Sequence, residues 1–386
     1  MIKLKMGMVG GGIDSFIGSV HRMAAAMDGH IELVCGALSS TPERSRKSGE
    51  QLGLPPERIY GDFIEMIEKE SRLPEEKRMD IVSITTPNYM HYQPARMALD
   101  HGFHVICDKP MTMTLEEALD LENHVGSTGL EFALTHNYTG YPMVKQAKHM
   151  VRTGELGKIR KIAVEYLQGW LNTKVEDTGN KQANWRADPK RSGKVLAMGD
   201  IGTHAENLAE YITGLKIESL CADLTSHVKG RILDDDGSML IRYEDGTTGT
   251  LLASQVATGE ENNLKIRVYG EKGGLEWEQI SPNTLIVKWA NKPTEILRTA
   301  TSFAGFGKAS QLASRLPAGH PEGFIEAFAN IYKNFALTIL SRKEGKDPDP
   351  EWLDFPNVHD GVRGMAFLET VVESSQSEQK WVQMKK

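Results

Sequence analysis

The feature that most constrains the fold lies at residues 4–18. The run Leu4-Lys5-Met6-Gly7-Met8-Val9 breaks at Gly10-Gly11-Gly12 and continues through Ile13-Asp14-Ser15-Phe16-Ile17-Gly18 into a helical pattern. A strand that ends in glycines and turns into a helix suits a dinucleotide pyrophosphate. Glycine accepts the positive φ of the turn and lets the backbone approach the phosphates, and the helix N-terminus favours their charge. The strict G-x-G-x-x-G spacing is absent: its third glycine falls at Ser15 and Gly18 comes three residues later, so the loop is lengthened. Simple turn chemistry also makes glycine-rich turns, so the motif gains its meaning from context.

That context is β-α alternation. Strands are expected at Leu4–Val9, Ile31–Leu38, Ile81–Thr85, His104–Cys107 and Phe132–Thr135. Helical patterns fall near Ser19–Met27, Glu43–Leu52, Asp62–Lys69, Tyr92–Asp100 and Leu115–Val125. Such alternation implies an α/β, doubly wound parallel sheet, a Rossmann domain over residues 1–136. After residue 137 the pattern changes. A helix at Met143–Thr153 and a strand at Ile159–Trp170 lead into strands separated by turns such as Glu244-Asp245-Gly246 and Gly270-Glu271-Lys272-Gly273-Gly274. Two long helices, Glu322–Leu340 and His359–Ser374, close the chain. Residues 137–386 therefore form an α+β domain with a broad, mainly antiparallel, open-faced sheet. At 386 residues the chain exceeds the roughly 250–300 at which one core usually stops growing, which agrees with two domains.

Composition excludes several classes. A net charge of -7 and a pI near 6.0, with no basic stretch interleaved with aromatics, argue against nucleic acid as a partner. Cys35, Cys107 and Cys221 are far apart without CxxC spacing, which suggests neither a disulfide framework nor a cysteine zinc site but thiols in a reducing compartment. The apolar run before Gly10 is too short for a signal peptide or a membrane span. A cytoplasmic protein without a membrane partner or bound metal is expected.

The end of the second strand bears on which dinucleotide binds. An Asp or Glu there would hold a ribose 2′-OH and repel a 2′-phosphate, but the chain reads Leu38-Ser39-Ser40-Thr41-Pro42-Glu43-Arg44. Ser39 can donate a hydrogen bond and Arg44 can pair with phosphate, so NAD(P) is expected with NADP slightly favoured. The competing reading makes Ser39 a helix cap and Arg44 a solvated charge.

With these pieces placed, the chain resembles the glucose-fructose oxidoreductase, inositol dehydrogenase and MocA family over its length. Thr86-Pro87-Asn88 with His91, and Asp108-Lys109-Pro110, are similar to that family's T-P-x-x-x-H and E-K-P signatures. Further on, Gly154-Glu155-Leu156-Gly157-Lys158-Ile159, Trp185-Arg186-Ala187-Asp188-Pro189, Gly199-Asp200-Ile201-Gly202-Thr203-His204 and Tyr269-Gly270-Glu271-Lys272-Gly273 are equally similar. Two departures are the lengthened glycine loop and Asp108 in place of Glu.

The resemblance implies an NAD(P)-dependent dehydrogenase or reductase acting on a secondary hydroxyl of a cyclic polyol, inositol, sugar or glycoside. Gly10, Gly12, Ile13, Ser39, Arg44, Thr86, Pro87, Asn88, His91, Asp108 and Lys109 would bind the cofactor, although His91 could instead cap the helix after it. His204 would transfer the proton, Asp200 would hold both it and a substrate hydroxyl, and Lys109 would assist the reacting oxygen. The residues allow this, because alcohol oxidation needs a base and a partner for the charged oxygen. Lys109 follows a strand at its carboxyl end, where ligands of open α/β sheets bind, and a cationic neighbour there would lower its pKa. Asp200 and His204, spaced i, i+4, can share a helix face. They can equally be read as a helix cap and a core histidine, and Lys109 as a surface lysine before a turn proline. His204-Ala205-Glu206 also matches the start of a zinc deaminase signature, but no Pro-Cys-x-x-Cys follows. Asn137, Tyr138, Gln168, Trp185 and Arg186 flank the site in relatives and would contact substrate. The family also implies a homodimer or homotetramer through the open sheet face. Two alternative functions are an NAD-dependent glycosidase working by transient sugar oxidation and a non-catalytic dinucleotide sensor.

Overall fold

The computed structural model describes residues 3–301 and 305–385. They form two compact units, one of residues 1–140 with 324–362 and one of residues 141–323 with 363–386.

In the first unit, strands β1 (Leu4–Gly10), β2 (Ile31–Ala37), β3 (Ile81–Thr85), β4 (His104–Cys107) and β5 (Phe132–Leu134) alternate with helices α1 (Phe16–Met27), α2 (Pro42–Gln51), α3 (Phe63–Ser71), α4 (Tyr92–Asp100) and α5 (Leu115–Thr128). The sheet is parallel, in the order β2-β1-β3-β4-β5. A single parallel bridge from Gly36 to Ile59 adds the stump of a further strand outside β2. The chain thus winds outward from β1 in both directions, which places the topological switch between the carboxyl ends of β1 and β3. All five residues of β3 are buried, as a central strand covered on both faces requires. Local sequence starts the helices: Ser15, Thr41, Asp62 and Thr114 each accept a backbone N–H from the first turn of α1, α2, α3 and α5. One sheet face is closed by α1 and by the helix Phe324–Lys343, with Met6, Met8, Val20 and Ala24 packing among Phe328, Tyr332 and Phe335. Although late in the sequence, this helix belongs to the first unit, which is therefore built from two separate stretches of chain.

Burial holds several imidazoles of this unit neutral, His21, His104 and His136 among them. Burial pushes His21 down to about 4, where Tyr332 Oη lies 2.7 Å from Nδ1. Burial, helped by the Lys343 ammonium, pushes His104 to about 4, and burial with the Lys109 ammonium pushes His136 to about 3. In the unfolded chain these groups titrate near 6.5, so below that pH the unfolded state binds more protons than the folded one. Stability is thus fully present above about pH 6.5 and falls toward pH 4, by up to about 1.4 kcal/mol per pH unit for each imidazole. Urea midpoints measured from pH 7 to 4.5 are expected to fall across this window, and a flat profile would mean that the folded state carries these groups charged.

The second unit begins with α6 (Pro142–Arg152) and β6 (Ile159–Leu167), followed by short helices α7 (Lys181–Arg186) and α8 (Pro189–Ser192) and by α9 (Thr203–Thr213). Strands β7 (Ile217–Thr225), β8 (Asp236–Tyr243), β9 (Thr248–Ser254), β10 (Asn263–Gly270), β11 (Gly273–Glu278), β12 (Thr284–Trp289), β13 (Glu295–Arg298) and β14 (Val382–Gln383) join β6 in one nine-stranded sheet, ordered β13-β12-β11-β10-β6-β9-β8-β7-β14. Every pairing is antiparallel except β6 with β9. Strict alternation divides the faces. In β8, Met239, Ile241 and Tyr243 are buried while Ser238, Leu240 and Arg242 are exposed. The exposed face carries Leu240, Leu252 and the ion pairs Lys265–Glu276 and Lys288–Glu276 at 2.9 and 2.8 Å. β6 stops at Leu167, short of the expected Trp170, and beyond it the Gly169 N–H turns to the Glu260 carbonyl at 2.8 Å.

Candidate active site

The carboxyl ends of β1, β3, β4 and β5 gather the cofactor-side residues. Gly10 and Gly11 adopt φ of +77° and +70°. A Cβ on Gly12 would come within 2.7 Å of the Leu38 carbonyl oxygen, so the loop closes directly onto the end of β2. Ser15, at the third-glycine position, is the N-cap of α1, its Oγ accepting the Gly18 N–H at 3.1 Å. Gly18 takes over the packing role: a Cβ there would lie 2.4 Å from the Gly11 Cα. The loop is longer than G-x-G-x-x-G, yet helix and loop still meet through two glycines. Arg22, one turn further on, donates to the Gly11 carbonyl and ties the helix to the loop. Ile13 stays partly exposed, its N–H facing Ser48 Oγ at 3.4 Å.

At the end of β2, Thr41 rather than Ser39 caps α2, which sets aside the capping role considered for Ser39. Arg44 is exposed and lies 3.4 Å from Asp14 of the glycine loop, a contact of small energetic weight but one that places its guanidinium beside that loop. Beyond β3, Thr86 Oγ1 donates to the Met90 carbonyl at 3.0 Å, closing the turn that contains Pro87 and buried Asn88. His91 makes no capping bond to α4. Its ring instead bridges two loops, with Nδ1 2.8 Å from the Pro110 carbonyl oxygen and Nε2 2.8 Å from that of Thr86. Burial lowers its pKa, against the nearby Asp108 carboxylate. The Asp108 Oδ1 atom accepts the Lys109 N–H at 2.8 Å and the Thr135 hydroxyl at 2.9 Å, so the shorter acid fixes the backbone that carries Lys109. Asn137 and Tyr138 are buried just past β5, and Asn137 Nδ2 is a buried donor with no hydrogen-bond partner among the described residues. Positive-φ glycines, a loop that admits no Cβ and an orphan amide donor all fit a dinucleotide.

The second unit carries the residues expected on the substrate side. The parallel β6/β9 pair, aligned Leu167 to Ser254, sends both strands out at the same end of the sheet, so Gln168 and Gln255 emerge side by side with Gln255 Nε2 donating to Gln168 Oε1 at 3.0 Å. Gln168 Oε1 also accepts from Trp170 Nε1 at 2.9 Å, and its own Nε2 donates to Asn262. Asp200 does not cap α9. It sits in a π turn, Met198–Gly202, immediately before that helix. Such turns shift side-chain direction and recur at functional sites. Its Oδ2 accepts from Gln255 Nε2 at 2.8 Å and its Oδ1 lies 3.1 Å from Arg186 Nε. Trp185 stacks on the Arg186 guanidinium at 4.3 Å. His204, in the first turn of α9, is buried, its ring 6.3 Å from that of Tyr166. Gln168, Trp185, Arg186 and Asp200 thus form one connected cluster, with His204 one turn beyond Asp200.

Gln255, which joins Gln168 to Asp200, was missed in sequence. The signal for it was period-2 alternation: Leu251 and Ala253 face the core, and a glutamine at the next inward position is a polar residue where an apolar one is expected. Gly18 was legible as a glycine but not as the loop's packing partner.

A glycine loop at the switch point of a doubly wound parallel sheet places the first unit among dinucleotide-binding domains. Residues 4–136 match the oxidoreductase family with an NAD-binding Rossmann fold, and residues 144–276 match the GFO/IDH/MocA C-terminal domain. The chain belongs to the GFO/IDH/MocA family of oxidoreductases and is an NAD(P)-dependent dehydrogenase. It is 31% identical to the uncharacterized oxidoreductase YfiI of Bacillus subtilis over 99% of this chain and 97% of that one. It superposes on an oxidoreductase of Sinorhizobium meliloti with a TM-score of 0.89 and 44% identity, over 99% of this chain and 100% of the other. An inositol dehydrogenase homolog of Azotobacter vinelandii, complexed with NAD+, matches with a TM-score of 0.93 and 35% identity over 99% of this chain and 97% of the other. The same homolog has also been solved with NADH and myo-inositol. Among the described residues, no helix is long and apolar enough to cross a membrane.

Proposed function

We propose that this dehydrogenase reversibly oxidises a ring secondary hydroxyl of a cyclic polyol, an inositol in the first instance and a pyranose sugar or glycoside in the second. One observation carries the reading: a carboxylate, Asp200, is held by Arg186 and Gln255 beside a buried imidazole, His204, at a sheet end lined by Trp170, Trp185 and Tyr166. Dense hydrogen-bonding groups interleaved with aromatic faces suit a ring with hydroxyls on its rim and C–H bonds on its faces. The A. vinelandii homolog complexed with NADH and myo-inositol lends support. Bound nicotinamide supplies the hydride acceptor. His204 takes the hydroxyl proton, Asp200 holds the imidazole and a neighbouring substrate hydroxyl, and Lys109 stabilises the charge on the reacting oxygen. Asn137, Tyr138, Gln168, Trp185 and Arg186 contact the ring. The enzyme is cytoplasmic, and a second copy of the chain covers the open sheet face around Leu240 and Leu252, giving a dimer or tetramer.

Both dinucleotides are used, with NADP slightly preferred through Ser39 and Arg44. Cofactor reduction is followed at 340 nm with myo-inositol, other inositols, D-glucose, D-xylose and methyl β-D-glucoside, each with NAD+ and NADP+. At least one inositol is expected to be oxidised, and activity on none of these compounds would overturn the reading. The Arg44→Ala variant is expected to raise KM for NADP+ about fivefold, the weight of one exposed charge-assisted contact of about 1 kcal/mol, while leaving KM for NAD+ within twofold. Equal changes for both cofactors would remove the 2′-phosphate role.

A further inference from the structure

We propose that Asp234 is a positioning residue that sets the direction of the Asp200 carboxylate through the backbone of Leu196. The inference rests on the role given to Asp200 above. Asp234 lies in the segment leading into β8, and its residue is 7% exposed. Its two carboxylate oxygens accept different amides, Oδ1 that of Leu196 at 2.7 Å and Oδ2 that of Met198 at 2.8 Å. Its own carbonyl accepts the intervening Ala197 N–H at 3.1 Å. Three consecutive amides at the entrance of the π turn are therefore held by one residue. Leu196 passes the constraint on, because its carbonyl accepts the Asp200 N–H at 2.9 Å.

The neighbouring residue fixes the other side of the same carboxylate. The Asp235 carbonyl accepts the Gln255 N–H at 2.8 Å, and Gln255 Nε2 donates to Asp200 Oδ2. Asp235 is itself anchored, its carboxylate accepting from Arg231 Nη1 at 2.9 Å, from His227 N–H at 2.9 Å and from Val228 N–H at 3.1 Å. Arg231 is fully buried and reaches Glu176 through two bonds of 2.9 and 2.8 Å. A π turn is an energetically poor piece of helix that persists where the surroundings enforce it. Asp234 is what enforces it here. Burial pushes its carboxyl up to about 7, opposed by the Met198 and Leu196 N–H groups, which is a costly placement for a residue with no role beyond filling space.

The test combines the full-length Asp234→Asn and Asp200→Asn variants and their double mutant. Asparagine keeps one acceptor and turns an NH2 toward an amide N–H, so the clamp opens on one side. In the cofactor-free chain, hydrogen exchange at Leu196, Met198 and Asp200 is expected to speed at least tenfold, with exchange in β9 and β10 unchanged. Using NAD+ and the ring alcohol turned over fastest in the screen, kcat is expected to fall at least tenfold while Kd for the dinucleotide stays within twofold. On the Asp200→Asn background, Asp234→Asn should cost less than twofold more. Unchanged kcat despite faster exchange, or full additivity in the double mutant, overturns the proposal. If Asp234→Asn does not fold, Asp234→Glu, which keeps both oxygens on a longer arm, is measured in the same way and is expected to show an intermediate loss. An Asp200→Asn enzyme with normal turnover would instead refute the site assignment, and the exchange data would still report whether the clamp exists.

Discussion

In a His204→Ala enzyme, kcat for oxidation of the ring alcohol is expected to fall by about 10³-fold, within the ~10²–10⁴ range for loss of a general base, while dinucleotide affinity changes less than twofold. Alcohol oxidation releases a proton as the hydride leaves, and among the clustered side chains His204 carries the imidazole, the side chain that most often serves as general base. The imidazole is buried beside Tyr166, so its loss leaves a space that solvent does not fill with an equivalent base. Added imidazole is therefore expected to restore part of the lost rate, and to restore none in Asp200→Asn, where the base is present but no longer held. Turnover by His204→Ala within threefold of wild type, on a substrate that the wild type oxidises, would remove the imidazole from the mechanism.

Replacing Lys109 by Met is expected to lower kcat by a similar ~10³-fold, the loss seen when one preorganised group for a developing oxyanion is deleted. Methionine keeps much of the packing of the lysine stem, so the difference reports the ammonium. The local structure favours this interpretation, since the Lys109 backbone is tied to Asp108 and Asp108 to Thr135. Arginine carries the same charge on a planar, forked head, so Lys109→Arg is not expected to recover the activity. The decisive comparison is kcat against dinucleotide Kd. A change in Kd that accounts for the whole loss would make Lys109 a cofactor ligand only.

Much of the architecture was legible because it follows from short-range rules. The β-α alternation of the first 136 residues and the glycine break after Val9 each specify structure within a few residues of themselves. The stump of strand at Ile59 was not legible, because one bridge to Gly36 leaves no periodic pattern. The destination of the Phe324–Lys343 helix was not legible either. Its periodicity announced a helix with an apolar stripe but not which sheet the stripe covers. In the candidate site, Asp200 and His204 could be paired by spacing, but the π turn between them could not, because it depends on Asp234, 34 residues further on, holding amides of residues 196 and 198. Side-chain identity pointed to the chemistry, and long-range backbone contacts decided its geometry.

The two-part construction of the first unit bears on how the chain comes off the ribosome. The face of β1 that packs on α1 is sealed by Phe328, Tyr332 and Phe335, which are translated more than 300 residues after Met6 and Met8. Until that late helix emerges, the nascent nucleotide-binding sheet carries an uncovered apolar surface, the kind of exposure that recruits chaperones. Strands β6 to β13 of the second sheet are consecutive in the chain, while its edge strand β14 is added only by the last residues. Maturation of the cofactor half is thus timed by the last quarter of the polypeptide.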